Sequence, residues 1–131
     1  MGIDVYARWR GQTAEEKQAQ ITGFSIAHGH VGYLREAYHG EPYATQALVP
    51  EAFNETLMRA FPEGVPVSAE SLRTRLPAVL EIAVQRESEI YGHDREDEDT
   101  KTVLKSFRDF VSLCEERENA TGEACCIVAS F

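Results

Sequence analysis

From Thr100 to Asn119 the chain places Val103, Leu104, Phe107, Phe110, Val111 and Cys114 at the spacing of one helical face. A stripe of that kind forms a stable helix only when something covers it. A second helical stretch precedes it. Ser68 reads as its cap, Leu72, Leu76, Leu80, Ala83, Glu87 and Ile90 keep helical spacing, and Gly92 closes it after Tyr91. Pro77 either divides this stretch or begins its second half, leaving a long helix near 77–91. Eight polar residues, Gly92 to Asp99, separate the two helices. A connection that short predicts an antiparallel pair.

The chain ends predict strands. Ile3, Val5, Ala7 and Trp9 alternate with Asp4, Tyr6 and Arg8, the period of a half-buried strand. Ala124 to Phe131 is apolar on both faces, which suits a central strand. Between them, Thr13 with Glu16 forms a capping box ahead of a short helix to about Gln20. Val31, Leu34 and Tyr38 have helical spacing, so a short helix is expected near His30–His39, with Gly40 as its C-cap. The segment from Pro42 to Val49 reads as loop, either throughout or with a short extended piece. Pro50 suits a first helical turn, with Phe53, Leu57 and Phe61 behind it and Pro62 and Gly64 ending the run. The expected fold is therefore α+β: a small sheet including the N- and C-terminal strands, packed on one face by the antiparallel helices.

At 131 residues, with 43% hydrophobic and 27% charged residues, the chain is expected to form a single globular domain over 1–131. Its net charge of −9 repels phosphate backbones and anionic lipid, so neither nucleic acid nor membrane is an expected partner. The same charge would attract a basic protein. There is no apolar run long enough to span a bilayer and no signal-peptide core in Met1–Arg10. Tyr6 stands where a myristoylation motif needs Ser or Thr. Three cysteines, two of them adjacent, fit a reducing, cytoplasmic setting. There Asn119-Ala120-Thr121 has no meaning as a glycosylation acceptor. Cys125 and Cys126 would point to opposite faces of a strand and read, like Cys114, as small core residues.

The segment from Thr22 to Tyr43 is the candidate ligand-binding region. It holds His28, His30, His39, Tyr33, Tyr38, Tyr43 and four glycines, with Arg35 and Glu36 at its centre. On a helix Arg35 and His39 would lie one turn apart, and an Arg beside a His and a Tyr can grip a carboxylate or phosphate. The alternative is structural: Tyr38 in the core, Arg35 paired with a surface Glu, glycines for turns. His28-Gly29-His30 has metal-like spacing, and His39 or Glu36 would have to supply a third ligand. No local motif completes such a site, and no cofactor is expected. Asp94 to Asp99 resembles a calcium loop but fails it, with Asp99 at the glycine position and Lys105 at the twelfth. These acids read as a solvated connector favouring the next helix start, or as a docking patch extended by Glu115, Glu116 and Glu118. There is no nucleophile elbow, phosphate loop or dinucleotide fingerprint.

Met1-Gly2-Ile3-Asp4-Val5-Tyr6, followed by Gly29-His30-Val31-Gly32-Tyr33-Leu34-Arg35-Glu36-Ala37-Tyr38, resembles a group of small bacterial proteins opening Met-Gly-Ile/Leu-Asp-x-Tyr. The resemblance implies a bacterial or phage context and no particular activity. Two functional readings follow. One is a non-enzymatic binding module for a small anion, held by Arg35, His39 and Tyr43, or for a basic protein. The other is a small enzyme using the histidines, Glu36 and Arg35 of this segment, with or without metal.

Overall fold

A computed structural model describes residues 2–22 and 28–131. Gly23, counted above with the candidate region, lies outside them. Four strands form one antiparallel sheet: β1 (Gly2–Arg8), β2 (Tyr33–Ala37), β3 (Val65–Val67) and β4 (Cys125–Ser130), in the order β2-β1-β4-β3. The two terminal strands are its centre. Asp4 pairs with Arg35 on one side and with Ser130 on the other. The alternation in β1 works as expected, with Ile3, Val5 and Ala7 buried and the intervening residues half-buried.

Two long helices cover one face, α4 (Ala69–Tyr91) and α5 (Glu98–Thr121). They run antiparallel: Arg73 near the start of α4 meets Glu115 near the end of α5 at 3.0 Å. Leu72, Leu76, Val79 and Ala83 from α4 pack with Leu104, Phe107, Phe110, Val111 and Cys114 from α5 and with Val5, Leu34 and Ile127 from the sheet. Ser68 caps α4, and Gly92, at φ 70°, ends it. Asp97 rather than a later residue caps α5, so this helix begins two residues before the stretch its apolar stripe marks. The remaining helices are α1 (Ala14–Ile21), with the Thr13–Glu16 capping box in place, α2 (Ala44–Leu48) and α3 (Glu55–Ala60).

Four expectations are corrected. The segment 33–37 is a strand, not part of a helix over His30–His39. Its helical spacing is outweighed by pairing with β1, which buries Leu34 beside Val5 on one face and stacks Tyr33 on Tyr6, centroids 5.3 Å apart, on the other. Residues 44–48 form α2 instead of loop, because the Glu36 carboxylate accepts from the Ala44 and Thr45 amides at 2.8 and 3.0 Å and caps that turn. The Pro50 run divides into a 3₁₀ turn (Pro50–Phe53) and α3. Asn54 lies between them and accepts from the Leu57 amide at 3.0 Å. Pro77 does not divide α4; Leu76 and Val79 are buried on either side of it, and their burial outweighs one missing hydrogen bond. Strand β3 was outside the sequence expectation, being three residues long; Pro66 is tolerated there because β3 is an edge.

Candidate ligand-binding site

Strand β2 and the helices α4 and α5 enclose a cleft of about 420 Å³. Its wall is apolar, with Leu34, Ala37, Ile90, Val103 and Phe107, and its charged lining residues are Arg35, Glu36, Arg86, Glu87 and Asp99. What each charge already touches decides what the cleft can do.

Glu36 and Arg86 are structural. Arg86 Nε donates to Glu36 Oε2 over 2.8 Å, and both side chains are almost fully buried. Glu36 also accepts from the Thr45 hydroxyl at 2.6 Å. Arg86 donates to the carbonyls of Gly40 at 2.6 Å, Pro42 at 3.0 Å and Ala37 at 3.0 Å. Its guanidinium lies 4.8 Å from the centre of the Tyr43 ring. This network shapes the turn that follows β2 and leaves neither charge available to a ligand.

Arg35 is engaged on the opposite face of the sheet. Its Nη1 donates to Asp4 Oδ1 at 2.7 Å, and the Tyr33 hydroxyl donates to the same oxygen at 2.6 Å. Burial, then the bond to Asp4, pushes the Tyr33 hydroxyl up to about 12. Arg35 is thus paired, but with the half-buried Asp4 of the neighbouring strand rather than with the surface Glu of the structural alternative.

His39 lies against Tyr91, ring centroids 6.2 Å apart, and Tyr43 meets Tyr38 and Arg86. Arg35, His39 and Tyr43 therefore have three different sets of partners, since a strand does not bring residues 35 and 39 one above the other as a helical turn would. Tyr38 is exposed rather than core. His28 and His30 touch edge to face at 5.6 Å. Between them Gly29 presses on α5 so closely that a Cβ there would lie 1.8 Å from the Ser106 carbonyl oxygen. The glycine between the histidines is thus a packing requirement.

A further candidate residue, which the sequence did not single out, is His93, in the connector between α4 and α5. Its Nδ1 lies 3.0 Å from Glu87 Oε2, and its Nε2 lies 3.8 Å from Asp99 Oδ2. The bond to Glu87 raises the imidazole pKa, and the charges of Asp97 and Asp99 add to it. Tyr91 stacks on the same ring at 5.6 Å. Its one sequence signal was a histidine directly after the glycine that ends a helix. Among the described residues, His93, Asp97 and Asp99 are also the group whose ligand atoms lie close enough for one cation, within 4.8 Å of one another. Asp97 Oδ1, however, is engaged by the Asp99 amide as the α5 cap, at the positive end of that helix. Of the acids read as a docking patch, Glu115 pairs with Arg73, and Glu118 accepts from the Ala69 amide at 3.2 Å. Glu96, Glu98 and Asp99 keep most of their side chains exposed.

No helix among the described residues is long and apolar enough to cross a membrane. Comparison of the chain with protein-family models, curated proteins and solved structures finds no match in any of the three.

Proposed function

We propose that this protein is a non-enzymatic binding module whose small ligand occupies the cleft between β2, α4 and α5. The observation that carries this reading is the cleft itself. Its volume falls within the range of small-molecule sites, roughly 300–1,000 Å³, and its lining joins apolar side chains to a few polar ones. The enzyme reading has less support. Glu36, one of its candidate residues, already accepts from four protein donors, and His39 lies against Tyr91 rather than beside it. A small anion also has less support than expected, because Arg35 and Arg86 are both engaged by protein oxygens.

A ligand screen read by thermal shift tests the proposal, with Val103→Trp alongside to fill the cleft. A ligand that binds only the folded state adds about 2.7 kcal/mol at a hundredfold excess over its Kd. The expected result is a shift in the native protein that Val103→Trp removes while its circular dichroism stays native. A shift that survives Val103→Trp places the ligand elsewhere and defeats the reading.

A basic protein partner is the second reading. The exposed acids Glu96, Glu98 and Asp99, of which Asp99 lines the cleft, favour it. Such a complex would weaken steeply with added salt.

A further inference from the structure

We infer that the cleft is selective for a small organic cation, an ammonium group carried on an apolar chain. The inference rests on the cleft being the binding site and adds the chemical class of what it takes.

Charge gives the selectivity. Arg86 is matched by Glu36, and Arg35 carries its charge on the opposite face of the sheet, against Asp4. Glu87 and Asp99 remain, and both lie at the cleft against a single imidazole, that of His93. One imidazole balances at most one carboxylate when protonated and none when neutral. The charged groups at the cleft and their partners thus count four carboxylates, Asp4, Glu36, Glu87 and Asp99, against two guanidiniums and one imidazole. Glu87 and Asp99 approach opposite nitrogens of the same ring, which stands between them, so an ammonium entering the cleft pairs with one of the two carboxylates.

The walls argue for the rest of the ligand. Ile90, Val103 and Phe107 line the cleft and can take an alkyl chain, whose transfer from water contributes about 0.8 kcal/mol per buried CH₂. Tyr91, 52% exposed, also lines the cleft, with its ring stacked on His93. The chain's net charge of −9 raises the local concentration of any cation. A bare divalent ion fits less well. Such a site would draw on Asp97, which caps α5, and would set two positive charges against a helix N-terminus.

The test is a titration of ¹⁵N-labelled protein with hexylammonium, hexanol and hexanoate, and separately with zinc chloride. The variants are Glu87→Gln/Asp99→Asn and, as a control of equal charge change, Glu63→Gln/Glu70→Gln. Hexylammonium is expected to move the amides of Ile90, Val103 and Phe107 saturably. It should bind at least tenfold more tightly than hexanol or hexanoate, and the first double variant should lose that preference while the control keeps it. Equal binding of hexylammonium and hexanol at these amides overturns the cation inference and leaves the cleft reading standing. No response from any of the three alkyl compounds defeats both. Stoichiometric zinc binding that His93→Ala abolishes would assign the carboxylates to a metal and overturn the inference.

Discussion

Arg86 Nε and Glu36 Oε2 lie 2.8 Å apart with about a tenth of each side chain exposed, and their bond joins α4 to the edge strand β2. A pair so buried contributes little over an apolar pair of the same shape, yet breaking it strands a charge. Arg86→Met should therefore cost about 3–5 kcal/mol, the range for an orphaned buried ion. It also frees three carbonyls between Ala37 and Pro42. Urea unfolding measures this. A loss under about 1 kcal/mol, the value of a surface pair, would show that the network does not hold the turn.

Gly29 separates packing from ligation in the His28-Gly29-His30 segment. A methyl group at position 29 would overlap the Ser106 carbonyl, so Gly29→Ala must push the 3₁₀ turn away from α5. Overpacking of this kind costs about 1–3 kcal/mol. His30→Ala, at an exposed position, should stay within about 0.5 kcal/mol of the native protein. Thermal or urea denaturation of both variants decides the matter. A larger loss from His30→Ala than from Gly29→Ala would return the histidines to a structural or ligand role.

Much of the architecture was legible because its signals are local and repeated. The α5 stripe, the β1 alternation and the caps at Thr13, Ser68 and Gly92 each report through several residues in one element. What escaped depends on partners far away in sequence. Leu34 and Tyr38 share helical spacing, but β1 requires a neighbour on its open side, and the residues 33–37 provide it. The short helix α2 exists because Glu36, eight residues earlier, reaches its first amides. The candidate site shifted for the same reason. Composition drew attention to residues 28–43, whereas His93 gains its setting only when the helical hairpin brings Glu87 and Asp99 to one ring.

His93 makes stability depend on pH in a defined direction. Its folded pKa lies above the ordinary 6.5, held up first by Glu87 and then by the Asp97 and Asp99 charges. The protonated form is thus favoured in the folded protein. The contribution is complete below pH 6.5 and disappears as pH rises through the folded value. Two measurements follow. The His93 ring resonances should titrate above 6.5, and the melting-temperature difference between the native protein and His93→Gln should shrink as pH is raised through that titration. A His93 midpoint below 6.5 would contradict the bond to Glu87 as the dominant influence.

Pro77 offers a gain in stability at a site where packing has nothing to lose. It lies inside α4, eight residues past the first, where its ring removes an amide donor and crowds the preceding turn. Its own side chain is exposed, so Pro77→Ala forfeits no core contact. Alanine is about 3 kcal/mol better than proline in a helix interior, while the proline's restriction of the unfolded chain returns about 0.4–1 kcal/mol to the native sequence. The net expectation is a stabilisation of about 1–3 kcal/mol, read as a higher urea midpoint at unchanged slope. The helix survives its proline because Leu72, Leu76, Val79 and Ala83 anchor both halves to the same core. Leu76→Ala should therefore do the opposite, costing about 2–5 kcal/mol and weakening α4 on both sides of Pro77. If Pro77→Ala lowers the midpoint instead, the proline fixes a bend that the α4–α5 packing requires, and tertiary contact rather than helix propensity governs that position.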